Sequence, residues 1–108
     1  MKLLTKAIRK KLPKLYANDG KDESETIVIV KFFDPCSNWT WYATEGEPVL
    51  DDNDNEVDFT FFGYVVGNFS EFGYFSLNEL KKVKNRFGLG IERDMYFKED
   101  TLENILKK

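Results

Sequence analysis

The chain of 108 residues is expected to fold as a single α+β domain, 1–108. A mostly antiparallel sheet of about four strands carries short N-terminal, middle and C-terminal helices. Three observations lead there. Residues 27–33, 39–44 and 57–66 alternate apolar with polar side chains or run β-branched. Ser76-Leu77-Asn78-Glu79 and a second segment starting at Asp100, with Glu103 completing it, have the form of a capping box. In that form an N-cap oxygen and a later carboxylate each satisfy a free amide. Aromatic residues make up 16% of the chain, ten of them phenylalanine, and large rings fill sheet cores.

Taken in order, Thr5 caps a short helix in which Leu4, Ile8 and Leu12 share one face. Pro13 ends it, because its ring clashes with the preceding turn. Lys6, Arg9 and Lys10 take the opposite face, and residues 1–15 hold six basic side chains and no acid. A polar loop, Asn18 to Ser24, leads to a buried strand, Ile27 to Phe33. Asp34-Pro35 closes that strand and Ser37-Asn38 sits in the turn. In the next strand, Trp39 to Thr44, Trp39, Trp41 and Ala43 share one face and Thr40, Tyr42 and Thr44 the other. Gly46 to Asp58 is expected to be an acidic loop, followed by strands at Val57–Val66 and Phe72–Phe75. A helix from Leu77 to about Lys84 ends before Gly88 and Gly90. "IERDMYF" is expected to be extended, and Leu102, Ile105 and Leu106 give the last helix its apolar side.

Composition excludes several chemistries. There is no histidine, so neither a Ser-His nor a Cys-His nucleophile can form within the chain, nor a zinc site built on His and Cys. Cys36 is the lone cysteine, which fits a reducing cytoplasm and a passive thiol. Met1-Lys2-Leu3-Leu4 opens like a leader, but Lys6, Arg9, Lys10 and Lys11 interrupt it. The expectation is a soluble cytoplasmic protein with no membrane span. Residues 45–58 hold seven acids and no base, and "DDNDNEVD" imitates a calcium loop. Glu56 stands where that loop needs glycine, and Phe62 where it needs its closing acid. No metal and no cofactor are expected. The first helix and Lys81, Lys82, Lys84 and Arg86 form two basic patches, but the net charge is -3 and no recognition motif appears. Nucleic acid is therefore the less favoured partner.

The densest window is "DPCSNWTWYATEGEPV". Asn38, Trp41, Tyr42, Glu45 and Glu47 are the candidate binding residues, since aromatics on an uncovered sheet face are typical hot spots. Glu45 and Glu47 flank Gly46 at the strand end, where Arg93 is expected to pair with them as a structural partner. The competing expectation is that a helix covers the Trp face and Tyr42 packs on its neighbours.

"MKLLTKAIRKKLPKLY", "VKFFDPCSNWTWYATEGE", "DFTFFGYVVG", "FGYFSLNEL" and "FGLGIERDMYF" follow one another in a single order. This series resembles the domain-of-unknown-function family 2958, short bacterial proteins carried on plasmids, integrated elements and phages. The resemblance runs from Met1 to about Phe97 and implies accessory work for mobile DNA, alongside anti-restriction genes. The family brings no assigned reaction, so no catalytic residue transfers. The expectation is a small non-enzymatic binding protein of a mobile element. It would act against a host defence system through a host or element-encoded protein. The alternatives are a binder of a nucleotide-like ligand stacked on second-strand aromatics, or a carboxylate- or metal-dependent enzyme. The last would need Asp34, Glu45, Glu47, Glu92 or Asp94 to meet in one pocket.

Overall fold

A computed structural model describes residues 1–108. In chain order the elements are α1 (Lys6–Lys11), β1 (Ile27–Val28), β2 (Val30–Phe33), β3 (Thr40–Leu50), β4 (Glu56–Val66) and β5 (Ser70–Ser76). They continue with α2 (Leu77–Lys82), β6 (Glu92–Arg93), β7 (Asp100–Thr101) and α3 (Leu102–Leu106). The main sheet is antiparallel with order β5-β4-β3-β2-β6, and β1 and β7 form a separate two-stranded ribbon. The expected α+β class holds, with five strands in the main sheet.

One face of the sheet carries the principal core. Val30, Phe32, Trp41, Ala43, Phe59, Phe61 and Phe75 point into it, and Leu3, Leu4, Leu12, Leu80 and Ile91 cover them. Phe61 packs between Phe59, Phe32 and Phe75 at centroid distances of 5.0 to 5.4 Å. Full burial of each such ring stabilises the fold by roughly 1.5–3 kcal/mol. Leucines before α1 and at its C-cap do this covering, so the helix turns its lysines outward. Thr5 caps α1 and Ser76 caps α2, each side chain accepting the third following amide.

A second, smaller core lies on the other face. Val28, Leu102 and Ile105 are buried there, with Tyr42, Tyr64 and Phe97 packed against them. The expected strand 27–33 therefore divides. Ile29 bonds to Ala43 between the two pieces, and Val28 joins a different core from Val30 and Phe32.

Three expected boundaries are corrected. Residues 46–58 are not a loop: β3 runs to Leu50 and β4 starts at Glu56, leaving a tight turn at 51–55. Asp51 Oδ1 accepts the Asn53 and Asn55 amides, and Asp54 adopts φ 61°. Gly46 N–H points away from β4 to the Pro13 carbonyl. Pro48, two residues on, faces the same way, where no ladder bond is demanded of it. The last helix is capped by Thr101, not Asp100: Thr101 Oγ1 accepts the Asn104 amide, while Asp100 Oδ1 accepts the Thr101 amide and the Asn104 side chain. The middle helix stops at Lys82, since Lys84 bridges Gly90 instead.

Candidate functional site: an aromatic sheet face

The central fact about β3 is a bulge. Ala43 pairs with Gly63 but Glu45 pairs with Phe62, so Thr44 is the extra residue. An extra residue reverses the side-chain alternation beyond it. Without it Glu45 would follow Trp41 and Ala43 into the apolar core. With it Glu45 shares the opposite face with Phe62. There its Oε1 accepts the Tyr16 amide at 2.8 Å and its Oε2 the Asn18 amide at 2.9 Å. Glu47 Oε1 accepts the Leu15 amide at 3.1 Å. The two glutamates thus tether the segment after α1 to the sheet.

This settles where the five sequence-predicted site residues stand. Trp41 belongs to the core, and Trp39 stacks on it at 5.9 Å. Glu45 is buried and Glu47 half-buried, each bonded to main-chain amides. Asn38 is exposed in the β2–β3 turn, remote from both in the ladder. Of the aromatic candidates, Tyr42 alone lies on the face opposite the principal core, and Glu45 shares that face. Arg93 does not pair with Glu45 or Glu47. It sits on β6 opposite Phe32, and its Nη1 is buried with no hydrogen-bond partner. The carboxylates are also separated. Asp34 and Asp94 line a shallow depression with Lys31, while Glu45 and Glu47 hold the Tyr16 segment. Asp34 is held below the ordinary carboxylate range, first by the Cys36 amide and then by Asn85.

The structure assembles another set instead. Two cross-strand rows share the face of Tyr42. In one, Lys31, Tyr42, Tyr64 and Phe72 stand opposite one another on β2 to β5. In the other, Glu45, Phe62 and Tyr74 do so. Lys31 lies 5.7 Å from the Tyr42 centroid, and Tyr64 lies 6.4 Å from Tyr42 and 5.1 Å from Phe72. Phe62 meets Tyr74 edge-on at 5.0 Å, and Tyr16 closes the second row against Tyr74. Phe97 and the second core shelter the Tyr42 end. The β5 end is open: Phe72 is 47% exposed, Tyr74 55% and Tyr16 63%.

Tyr42 and Glu45 are among the sequence candidates; the other aromatic residues of the rows are not, because large rings are expected to fill the core. The signal was present in "DFTFFGYVV" and "EFGYF", where even-numbered positions carry rings as regularly as odd ones. A sheet with rings on both faces needs two covers, and this chain provides one and a half.

The face is locally anionic. The Tyr74 hydroxyl is held above its ordinary pKa, first by the Tyr16 hydroxyl beside it, then by burial and by the negative charges of Glu45 and Asp19. A cluster of basic groups lies on the other face, beside α1 and α2. There a cleft of about 830 Å³ is floored by Leu3, Leu4, Leu77 and Leu80 and rimmed by Lys2, Lys6, Arg9 and Lys81. Arg9 is bonded to Glu56, while Lys2, Lys6 and Lys81 make no ion pair. No helix is long and apolar enough to cross a membrane.

No curated protein and no solved structure matches the chain. The family model described as "Protein of unknown function (DUF2958)" matches residues 3–105, nearly the whole chain, with both aromatic rows inside the match. The chain therefore belongs to that family.

Proposed function

We propose that the chain is a small non-enzymatic binding protein that serves a mobile genetic element, acting against a host defence system through a protein partner. The observation that carries the binding half is the half-exposed aromatic face running from Tyr42 to Tyr74. Rings already held by their neighbours lose little conformational freedom on contact, and such residues dominate binding energy in interfaces. The mobile-element setting rests on the family resemblance alone.

Electrostatics favour protein over nucleic acid at this face. Bases can stack on an aromatic sheet, but such surfaces need a basic groove to follow the phosphates. Here Glu45 and Asp19 stand near Tyr74, Lys31 at the other end is paired with Asp94, and the three unpaired lysines of the cleft lie on the other face. The fitting partner presents apolar and basic side chains, whose guanidinium or ammonium groups would stack on the tyrosines.

The test is capture on the immobilised protein from cells that carry the element, followed by titration of the purified partner. Tyr64→Ser and Phe62→Ser, both checked for a cooperative thermal melt, are expected to weaken binding at least tenfold, about 1.4 kcal/mol. Two folded variants with unchanged affinity would place the site elsewhere.

A second reading concerns the cleft. Its apolar floor and three unpaired lysines suit a small anionic ligand better than the nucleotide stacking expected at β3. Line broadening of Lys81 and Ile91 resonances on titration with a nucleoside phosphate would support it. Unperturbed spectra at millimolar ligand would dismiss it.

A further inference from the structure

The outer edge of β5 is weakly protected against pairing, with Glu71 its one charged side chain. An edge strand exposes a row of free N–H and C=O groups, which proteins commonly blunt with lysine, proline, a bulge or a covering segment. The β5 sequence, Ser70-Glu71-Phe72-Gly73-Tyr74-Phe75-Ser76, contains no lysine and no proline, and its register with β4 is unbroken. No turn, loop or cap bond uses the main chain of these residues.

Parity identifies the free groups. The Ala43 carbonyl faces β2, where it accepts the Ile29 amide. Its partner Gly63 therefore bonds toward β5, and Gly73 toward β4. Phe72 and Tyr74 then direct their amides and carbonyls outward.

The strand is also nearly symmetric about Gly73. Ser70 mirrors Ser76 and Phe72 mirrors Tyr74. The existing β4–β5 ladder is built the same way: Gly63 opposes Gly73, flanked by Phe62 with Tyr74 and Tyr64 with Phe72. An antiparallel copy of β5 centred on Gly73 would repeat that arrangement. Gly73 would face Gly73, and each Phe72 would exchange both backbone bonds with a Tyr74. No neighbouring group covers Gly73 on its face of the sheet, with nothing within 4 Å of an added Cβ. The two Glu71 side chains would stand on the order of 14 Å apart along the strands, too far to repel strongly in salt.

We infer that the partner at this edge is a second copy of the chain, joined β5 to β5 in a two-fold dimer. The five-stranded sheet becomes one sheet of twice that width, with the aromatic rows of both copies continuous across the axis. The inference goes beyond the protein-partner reading and stands without it, since the dimer uses backbone groups that the aromatic face does not.

The experiment combines sedimentation equilibrium with concentration-dependent amide exchange on the native protein and two variants. The native protein is expected to shift from monomer to dimer with concentration. The Phe72 and Tyr74 amides should gain protection as it does, while the Gly73 amide is protected throughout. Phe72→Pro removes an outward donor and leaves the bonds to β4 in place, so it should stay folded and monomeric. Tyr64→Ser, on the same face but off the edge, should still dimerise even where it loses another partner. A native chain monomeric to millimolar concentration would overturn the inference. So would a dimer whose Phe72 and Tyr74 amides exchange as fast as in the monomer. If Phe72→Pro fails to melt cooperatively, the native exchange data decide alone.

Discussion

Glu45 is 4% exposed, yet it is a carboxylate beside rings. Burial is tolerable because two amides of a turn point at its two oxygens, one of them from Tyr16, which adopts φ 72°. Removing the carboxylate leaves those two part-buried amides without their partner. Glu45→Ala is expected to lower stability by about 2–3 kcal/mol, measured by urea denaturation. Glu47→Ala, losing one longer bond from a half-exposed position, should cost about 1 kcal/mol or less. The sequence signalled that these two acids act together at a strand end but not what they hold. Arg93 was an apt partner by charge, and nothing in the spacing showed that it would sit two strands away from β3. The chosen acceptors bind main-chain amides, which every sequence offers equally.

At the scale of elements, local chemistry was legible wherever a cap or a periodic run decided the outcome. Thr5 and Ser76 begin their helices as their hydroxyls suggest. α2 is held further by Asp58, whose Oδ1 accepts the Asn78 amide at 3.0 Å, while Asn78 Nδ2 reaches back to the Val57 carbonyl. Ser76→Ala is expected to cost about 1 kcal/mol, read as a lower denaturation midpoint with an unchanged slope. The β3–β4 hairpin was illegible for the opposite reason. Gly46, Pro48 and a cluster of acids all disfavour strand locally, and the pairing of Glu47 with Thr60 and Pro48 with Phe59 overrides them. The Thr44 bulge left no signature at all. Its sign in the structure is Gly63, where any side chain would run into the Tyr42 carbonyl oxygen.

For the molecule as a whole, charge responds to acid and little else. Five carboxylates are held below their ordinary values. Asp34 is held by the Cys36 amide and Asn85, Asp51 by the Asn55 and Asn53 amides, and Glu56 by Arg9. Asp100 is held by Asn104 and the Thr101 amide. At Asp58 burial pushes upward, but the Asn78 and Phe59 amides outweigh it. Each group binds its proton more readily in the unfolded chain. The stability they contribute is therefore complete above about pH 4.5 and is lost as pH falls through the depressed folded values. With no histidine in the chain, the thermal midpoint should be nearly flat from about pH 5 to 8 and drop steadily below about pH 4. A midpoint that holds to pH 2 would mean that these hydrogen bonds survive protonation.

Both tryptophans lie in one corner of the fold. Trp39 stacks on Trp41 with an interplanar angle of 28°, and its ring covers Gly67 so closely that a side chain there would strike it. The pair is an optical reporter with a fixed address. Its emission follows the β2–β3 turn and the loop that leads into β5. The aromatic residues of the open face are all tyrosine or phenylalanine, so events there are nearly silent at tryptophan wavelengths. The proposed binding at the open face is therefore best followed by tyrosine absorbance or by labelled phenylalanine. A fluorescence titration that shows no change would be reporting from the wrong corner.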